Sequence, residues 1–422
     1  MVLKIQYPIT FKRVGLFVHL KINAGFTSPT ISAMNNIKFN QWFKVYLIVL
    51  YLFASFFLYQ KYNNPVEWTI SEWLINYQGG FTRRGFIGEI VFQFSEIFST
   101  TLRETILIFQ MTSYLVYFTL IFKFLKNINK NLLLVFAIYS PLFILYPIAE
   151  VEVLARKEIF VFISFLLVAN IFEQSKIENK HFFYFALILS VIILIWEGVI
   201  FYLSFFIMLL IIKNRFIFNK SFLIKLILCI VPVFIIFYFI IFFRLTENEV
   251  SIMCNSVNEC YAAMLYLDNN LNSNISEVTS QFRLSYLLRY ILIFLIGFLP
   301  LLILMKNSKF KVKTKININN TLPLFILMFL PNIFFYYIAL DWGRWMNISY
   351  TLSLFTYLYL YKNNYIKIKN KVNNYNFSKN KILLVIFFIV FSFGWSPRTT
   401  MKEDVGSIPI YRKTLTIIDY LF

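Results

Sequence analysis

Eleven apolar stretches, separated by short polar connectors, dominate the pattern of hydrophobic and polar positions along the chain. Their length and composition are typical of helices that cross a bilayer, because a helix satisfies its own backbone hydrogen bonds there. Several are short for a hydrocarbon core of about 30 Å, so we expect the hairpins near 149–158 and 196–199 to dip below the membrane surface. The predicted spans are residues 42–60, 105–125, 132–148, 159–172, 182–196, 199–212, 221–243, 286–305, 321–340, 346–361 and 382–395.

This pattern predicts an all-α, polytopic membrane bundle of about eleven transmembrane helices within residues 42–395. Residues 1–41 are expected to form a basic tail inside the cell, and Met34 is a second candidate start within it. The predicted outer segments are the loops 61–104, 149–158 and 244–285 and the C-terminal tail 396–422.

The first outer loop contains a glycine-rich turn followed by helical periodicity. Gly79 and Gly80 precede Arg83 and Arg84, and the apolar residues that follow recur every three or four positions. We therefore predict a loop that opens an amphipathic interfacial helix with two guanidiniums at its N-terminus. Free N–H groups and arginines together form an anion site, for which phosphate is the usual ligand. The alternative is that both arginines snorkel and anchor an interfacial helix.

The composition narrows the class of protein. The chain is 59% hydrophobic and 14% charged, with a net charge of +20. Most lysines and arginines lie in the predicted cytoplasmic segments, whereas Glu173 and Glu178 are the only acidic residues there. This asymmetry predicts that the N-terminus lies inside. The excess basic charge therefore indicates topology and attraction to anionic lipid, and we expect no nucleic-acid partner.

The distribution of charges also excludes classes of enzyme. A cytosolic nucleotide-sugar transferase requires acidic residues inside to hold a metal on the diphosphate, and two glutamates do not supply them. His19 and His181 both fall inside, which excludes a histidine base on the outer face. The remaining chemistry uses carboxylates and arginines on the outer face, with a lipid-linked donor and with no metal or cofactor.

The hairpin 149–158 carries five charges among apolar residues. Glu152 and Arg156 are four positions apart, in the order that favours a helical ion pair. One interpretation is a self-neutralised loop that caps the fourth span. The other is a binding site that includes Arg156 and Lys157, since charges at membrane depth are costly and mark function.

Two further outer hairpins carry candidate residues. Glu197 lies alone between apolar stretches, so we expect its pKa to be raised, as a general acid or base requires. The alternative is a turn residue in contact with water. Residues 341–345 contain Asp341, Trp342, Arg344 and Trp345. They form either an ion pair with interfacial tryptophans or a phosphate site beside a stacked sugar.

The cysteines contribute one structural prediction. Cys254 and Cys260 lie in the largest outer loop, where an oxidising compartment favours a disulfide between them. Cys229 lies within a predicted span and is interpreted as packing. The loop itself is either a lid or a surface for an acceptor sugar.

Four short patches together resemble bacterial O-antigen and capsule polymerases of the Wzy type. They are Gly-Gly-Phe-Thr-Arg-Arg-Gly-Phe-Ile-Gly at 79–88, Arg-Lys-Glu at 156–158, Glu-Gly at 197–198 and Asp-Trp-Gly-Arg-Trp at 341–345. Members often have a histidine before the glutamate of the third patch, where this chain has Trp196. The resemblance implies a GT-C-like enzyme at the outer face of the bacterial inner membrane. Such an enzyme joins undecaprenyl-diphosphate-linked repeat units into O-antigen or capsule polysaccharide, with a chain-length regulator as a further partner.

The resemblance and the charge pattern lead to a set of expected roles. Arginines stabilise the departing diphosphate, and a carboxylate removes the proton of the attacking sugar hydroxyl. Diphosphate binding is expected of Arg83, Arg84, Arg156 and Arg344, with Lys157 in support. The expected base is Glu197 or Asp341, with Glu89 and Glu152 in reserve, and sugar stacking is expected of Trp342 and Trp345.

Three alternatives stay open at this point. A GT-C transferase that moves one sugar from a polyprenyl-phosphate donor often has an acid early in its first outer loop, where Glu67 and Glu72 lie. A flippase for lipid-linked oligosaccharides would carry charges along its spans and show two related halves, whereas the charges here cluster in loops. A non-catalytic scaffold fits charged motifs at membrane depth poorly.

Overall fold

The computed structural model describes residues 29–64, 67–126, 128–173, 178–258, 260–265, 267, 271–311, 320–369 and 381–402. The helices of the first half are α1 (Pro29–Asn63), α2 (Glu67–Leu74), α3 (Gly85–Phe98), α4 (Leu102–Leu125), α5 (Leu132–Ile138), α6 (Tyr146–Ala149), α7 (Ile159–Glu173), α8 (Asn179–Ile195), a 3-10 helix (Glu197–Tyr202) and α9 (Leu203–Lys213). They are followed by α10 (Lys220–Phe242), α11 (Glu247–Ser256), α12 (Ala262–Leu265), α13 (Leu271–Gln281), α14 (Leu284–Lys306), β1 (Ser308–Phe310), α15 (Leu322–Phe329), a 3-10 turn (Leu330–Asn332), α16 (Ile333–Ile338), α17 (Trp342–Lys362), β2 (Ile366–Ile368) and α18 (Lys381–Phe393).

Within the residues that the structure describes, four helices are long and apolar enough to cross a membrane. α10 and α14 also carry many exposed apolar side chains, such as Leu228 and Leu292, as contact with lipid requires. These features indicate a helical membrane protein, and the count of eleven spans and their orientation remain predictions. The four long segments are Lys38–Asn63, Leu102–Leu125, Lys220–Phe242 and Leu284–Lys306. The shorter apolar helices are α7, α8, α18 and the interrupted segment Leu322–Ile338, which comprises α15 and α16.

Helix α17 lies in the core of the bundle, where every residue from Trp342 to Leu360 is buried. Its polar side chains bond to neighbouring backbone: Asn347 Nδ2 donates to Leu142 O at 2.8 Å, and Tyr350 Oη donates to Ala137 O at 2.7 Å. Because protein surrounds α17, this helix tolerates a more polar sequence than a helix in contact with lipid.

Two predicted spans are interrupted. Residues 132–148 form α5, an irregular segment and the short α6, and Asn347 bonds to carbonyls of that irregular segment. Residues 321–340 form α15 and α16 on either side of the 3-10 turn. Pro331 lies in this turn, and proline lacks the N–H that a continuous helix needs.

The all-α prediction misses one small sheet, in which β1 and β2 pair antiparallel. In addition, α1 begins at Pro29, within the predicted tail 1–41. Residues 1–28, and residues 403–422 of the predicted C-terminal tail, lie outside the described residues.

Candidate functional site

The loop between α2 and α3 is fixed by close contacts. A Cβ atom on Gly79 would lie 2.0 Å from the carbonyl oxygen of Glu249 in α11, so this position excludes any side chain. As the periodicity predicts, a helix follows the loop, and α3 begins at Gly85. Arg84 is its N-cap residue and has a left-handed backbone with a φ of 62°. This conformation costs a non-glycine residue about 1–2 kcal/mol, and such strain concentrates at functional sites.

Arg84 is held in this conformation by two partners. Its Nε lies 3.0 Å from each carboxylate oxygen of Glu197, and its Nη2 lies 2.7 Å from Glu197 Oε1. Lys157 is fully buried and donates from Nζ to the Arg84 carbonyl oxygen at 2.6 Å. The carboxylate therefore fixes the guanidinium while the lysine fixes the backbone.

A buried carboxylate links Arg84 to a second arginine. Oε1 of Glu72, on α2, bonds to Nη1 of Arg156 and also lies 3.5 Å from Nη1 of Arg84. Arg156 also donates from Nε to the backbone oxygen of Glu152 at 3.1 Å. The predicted helical ion pair between Glu152 and Arg156 is therefore wrong, because this segment forms turns and Glu72 takes the place of Glu152.

The third arginine, Arg344, lies in the first turn of α17. It bonds to Glu158 through Nη2 and to Asp341 through Nη1. Its guanidinium carbon lies 5.0 Å from the centre of the Trp345 ring, and that ring stacks on Phe335 with centres 4.3 Å apart. The ion pair with Glu158 joins the patch at 156–158 to the patch at 341–345.

The turns that carry Arg156 and Lys157 are tied to the surrounding helices through Ala155. Its backbone is left-handed, with a φ of 75°. Its N–H donates to Tyr114 Oη at 3.2 Å, and its carbonyl oxygen accepts from Trp73 Nε1 at 2.6 Å. These bonds fix the two cationic side chains relative to α2 and α4.

The three arginines share one cavity of about 340 Å³, a volume within the range of small-ligand sites. One side is completed by the chain that follows α18, which is fixed by a 3.0 Å hydrogen bond from Gly343 N to Thr399 O. The charged and aromatic lining residues are Arg84, Arg156, Arg344, Glu72, Glu152, Glu277, Asp341, Trp68 and Trp345. The cavity therefore combines cations, carboxylates and an aromatic surface.

Burial and charge pairing decide the ionisation of the network. Burial would raise the pKa of Glu72, but Arg156 and Arg84 lower it to about 2. Burial also opposes the ionisation of Glu197, yet Arg84 holds its pKa below the usual value, so the expected rise in pKa at Glu197 is wrong. Burial lowers the pKa of Lys157 to about 7. Glu72 and Glu197 are therefore anions that position arginines.

Of the two adjacent arginines, Arg84 lines the cavity and Arg83 does not. Burial lowers the pKa of Arg83, whose charge also interacts with Glu197 and with Arg244. Glu197 and Lys157 likewise lie behind Arg84 and are not among the lining residues. Glu197 and Lys157 therefore hold Arg84 in place. The sequence had instead predicted that Glu197 is the base and that Lys157 supports diphosphate binding.

Two other expected site residues are packed elsewhere. Glu89 accepts hydrogen bonds from Tyr77 N and Gln78 Nε2, both at 3.0 Å, and so holds the glycine-rich loop. Trp342 is buried against Tyr290, with ring centres 5.3 Å apart. Neither residue lines the cavity.

Sequence reasoning did not place Trp68, Glu72, Glu158 and Glu277 together in this site. Trp68 is 37% exposed, and its ring centre lies 5.8 Å from the Arg156 guanidinium. Trp68 and Glu72 are four residues apart on α2, and this spacing is a signal that they share one helix face. Glu277 belongs to a loop with scattered acids, where no pattern marks it.

The segment between α10 and α14 forms part of the cavity wall. Cys254 and Cys260 are joined by a disulfide at the end of α11, and Cys229 is a buried free cysteine. α13, further along the same segment, supplies Asn274 and Glu277 to the lining. This segment therefore contributes directly to the site.

Comparisons with known proteins assign neither a family nor a function to the chain. No protein-family model, curated protein or solved structure matches the chain. Within the described ranges, no group of three or more histidine, cysteine, aspartate or glutamate side chains is placed to hold a metal ion. The site is therefore interpreted from its own geometry.

Proposed function

We propose that the chain is a glycan polymerase that acts on lipid-diphosphate-linked repeat units at the outer face of the bacterial inner membrane. One observation carries the proposal: Arg84, Arg156 and Arg344 come from three distant parts of the chain and line one cavity. Each is held by a carboxylate, so the guanidiniums are positioned before any ligand arrives. A guanidinium has five N–H donors, and a diphosphate is a ligand for several such groups at once.

The proposed reaction transfers the growing glycan from its lipid carrier to the next repeat unit. A hydroxyl oxygen of the acceptor sugar forms a bond to the anomeric carbon of the donor, and the bond from that carbon to the phosphate oxygen breaks. The electron pair of the broken bond leaves with the lipid diphosphate, where the three arginines stabilise the added negative charge. The hydroxyl proton passes to a carboxylate of the cavity.

We assign the base role to Asp341, with Glu152 as the second candidate. Both line the cavity, and Asp341 contacts Arg344, so a hydroxyl bound to Asp341 would lie beside the phosphate. Glu72 is a poorer base because its side chain is only 3% exposed and is held between two arginines, and Glu197 does not line the cavity, whereas the Asp341 side chain is 26% exposed. Trp68, which is partly exposed in the lining, is assigned to stacking against a sugar ring.

A second candidate function is transfer of a single sugar from a polyprenyl-phosphate donor. The position of Glu72 favours it, because an acid early in the first outer loop is expected in that class and Glu72 lines the cavity. In this reaction the arginines would bind one phosphate, and the carboxylates would keep the same roles.

Reconstitution of the purified full-length chain in proteoliposomes tests the proposal. With a lipid-diphosphate-linked repeat unit as donor and acceptor, we expect a ladder of products that differ by whole repeat units, and release of free lipid diphosphate. The variants R156A and R344A should give no ladder at normal protein levels. Products one sugar heavier, formed only with a polyprenyl-phosphate sugar, would support the second candidate instead. Absence of both products from folded protein would contradict glycosyl transfer.

A further inference from the structure

A second large cavity lies near the opposite end of α17 from the arginine cavity. Its volume is about 430 Å³, and Lys362, the last residue of α17, is part of its lining. Arg344 and Lys362 are 18 residues apart on one helix, which corresponds to about 27 Å. That distance is close to the thickness of the hydrocarbon core, so the two cavities lie at opposite membrane surfaces if α17 spans.

The lining of this second cavity is basic. Lys311, Lys362 and Lys367 contribute to it, together with the side chains of Asn129 and Asn364, and the described lining residues include no carboxylate. Lys362 is paired with Glu173 outside the cavity, with Nζ and Oε1 2.6 Å apart. Lysine ammoniums beside amide side chains provide donors for an oxyanion.

The small sheet concentrates further positive charge at this place. In the β1–β2 pair, Lys309 lies directly opposite Lys367, and both are exposed. The alternation of a strand places Lys311 and Lys369, also exposed, on the same face, while Ser308 and its partner on β2 point into the protein. Like charges directly opposite each other destabilise a strand pair, and an anion bound beside Lys367 in the cavity would offset part of that cost.

The position of the sheet indicates the source of the anion. β1 starts two residues after the end of α14, one of the helices long and apolar enough to cross a membrane. Residues directly beyond such a helix lie at the level of lipid headgroups. Basic pockets at this level attract the anionic lipids of the adjacent leaflet.

We propose that this cavity binds the phosphate group of an anionic phospholipid. Lys367 on β2 and Lys311, the residue after β1, contact the phosphate, while Lys362, paired with Glu173, forms the wall of the cavity at the end of α17. Because α17 also carries Arg344, the bound lipid anchors the helix that holds Arg344 in the arginine cavity. The site does not depend on which reaction that cavity performs.

Native mass spectrometry of the full-length chain, released from nanodiscs, tests the proposal. In phosphatidylglycerol nanodiscs we expect one lipid to be retained per protein, and in phosphatidylcholine nanodiscs none. The double variant K311Q/K367Q should weaken phosphatidylglycerol retention about 10- to 30-fold. The charge-preserving K311R/K367R should retain the lipid, which separates loss of binding from loss of folding.

A matched control removes equal charge elsewhere. K44Q/K220Q replaces two exposed lysines on α1 and α10 and should leave retention unchanged. Equal retention by K311Q/K367Q and the wild type would overturn the proposal. Complete displacement of the lipid by millimolar inorganic phosphate would assign the cavity to a free anion and also overturn it.

Discussion

Arg84 binds Glu197 with two of its guanidinium nitrogens, Nε at 3.0 Å and Nη2 at 2.7 Å from the carboxylate. This pair connects the loop before α3 to the 3-10 helix that follows α8, across 113 positions of sequence. The Arg84 guanidinium contacts Glu197 and Glu72, and Arg84 also lines the cavity that it shares with Arg156 and Arg344. The same pair explains why Glu197 is ionised in an apolar hairpin.

Replacement of Arg84 by lysine is expected to slow transfer by about 100-fold. A lysine ammonium cannot make the bidentate contact with Glu197 and also reach the cavity, so a positioned donor to the leaving diphosphate is lost. The rate is measured by single-turnover release of lipid diphosphate from the proteoliposomes described above.

The neighbouring variant R83K is the matched control. Arg83 does not line the cavity, and lysine keeps its charge, so we expect a rate within about threefold of the wild type. A larger loss in R83K than in R84K would reverse the assignment of the two arginines.

Replacement of Glu72 by glutamine is expected to destabilise the fold in a pH-dependent way. The pKa of Glu72 is lowered from 4.5 to about 2, which corresponds to about 3 kcal/mol of stability at neutral pH. Because the folded-state pKa is the lower one, this contribution is present above pH 4.5 and is lost as the pH falls towards 2. The difference in Tm between wild type and E72Q should therefore be largest near pH 7 and shrink below pH 4.5.

The exposed carboxylate of Glu96 on α3 provides the control for that experiment. E96Q should have the Tm of the wild type, since exposed charges contribute little. An E72Q protein as stable as the wild type at pH 7 would show that Glu72 does not hold the two arginines.

The local features of this site were predictable from the sequence, but the ion pairs between residues far apart in the sequence were not. The glycines at 79–80 and the periodicity that follows Arg84 predict a loop that opens a helix, as found at α3, because that pattern lies within a few residues. The Asp341–Arg344 pair spans three positions and was one of the two interpretations of residues 341–345. The other partner of Arg344 lies 186 positions away and the partner of Arg156 lies 84 positions away, so spacing suggested Glu152 instead of Glu72 for Arg156. A single sequence carries no signal for contacts at such separations.

The same limit applies to the fold. Long apolar runs predict α4, α10 and α14, because each helix satisfies its own backbone. The interruption between α5 and α6 depends on Asn347, which bonds to carbonyls more than 200 positions earlier. The compensation by Asn347 is a property of the packed bundle, whereas the interruption itself has a local signal in Pro141 and Pro147, because proline lacks the N–H that a continuous helix needs.

Removal of the Trp68 ring is expected to weaken substrate binding without stopping chemistry. Stacking against an aromatic ring contributes about 0.5–1.5 kcal/mol, so W68A should raise KM by roughly 2- to 10-fold while kcat changes little. W68F, which keeps a ring, should recover most of the loss. Trp42 is exposed on α1 and does not line the cavity, so W42A should leave KM unchanged. An equal effect of W68A and W42A would exclude Trp68 from the sugar site.

Replacement of Asp341 by asparagine separates the base from the groups that bind phosphate. Arg344 keeps Glu158 as its partner in D341N, so donor binding should persist while the transfer rate falls by 10²–10⁴-fold. The acidic limb of the pH–rate profile reports the ionisation of the base, and it should disappear in D341N and persist in E152Q. Single-turnover rates across pH, together with donor affinity measured on the same proteoliposomes, give both quantities. Loss of the limb in E152Q and its retention in D341N would make Glu152 the base. A fall in donor affinity that equals the fall in rate would instead assign Asp341 to holding Arg344.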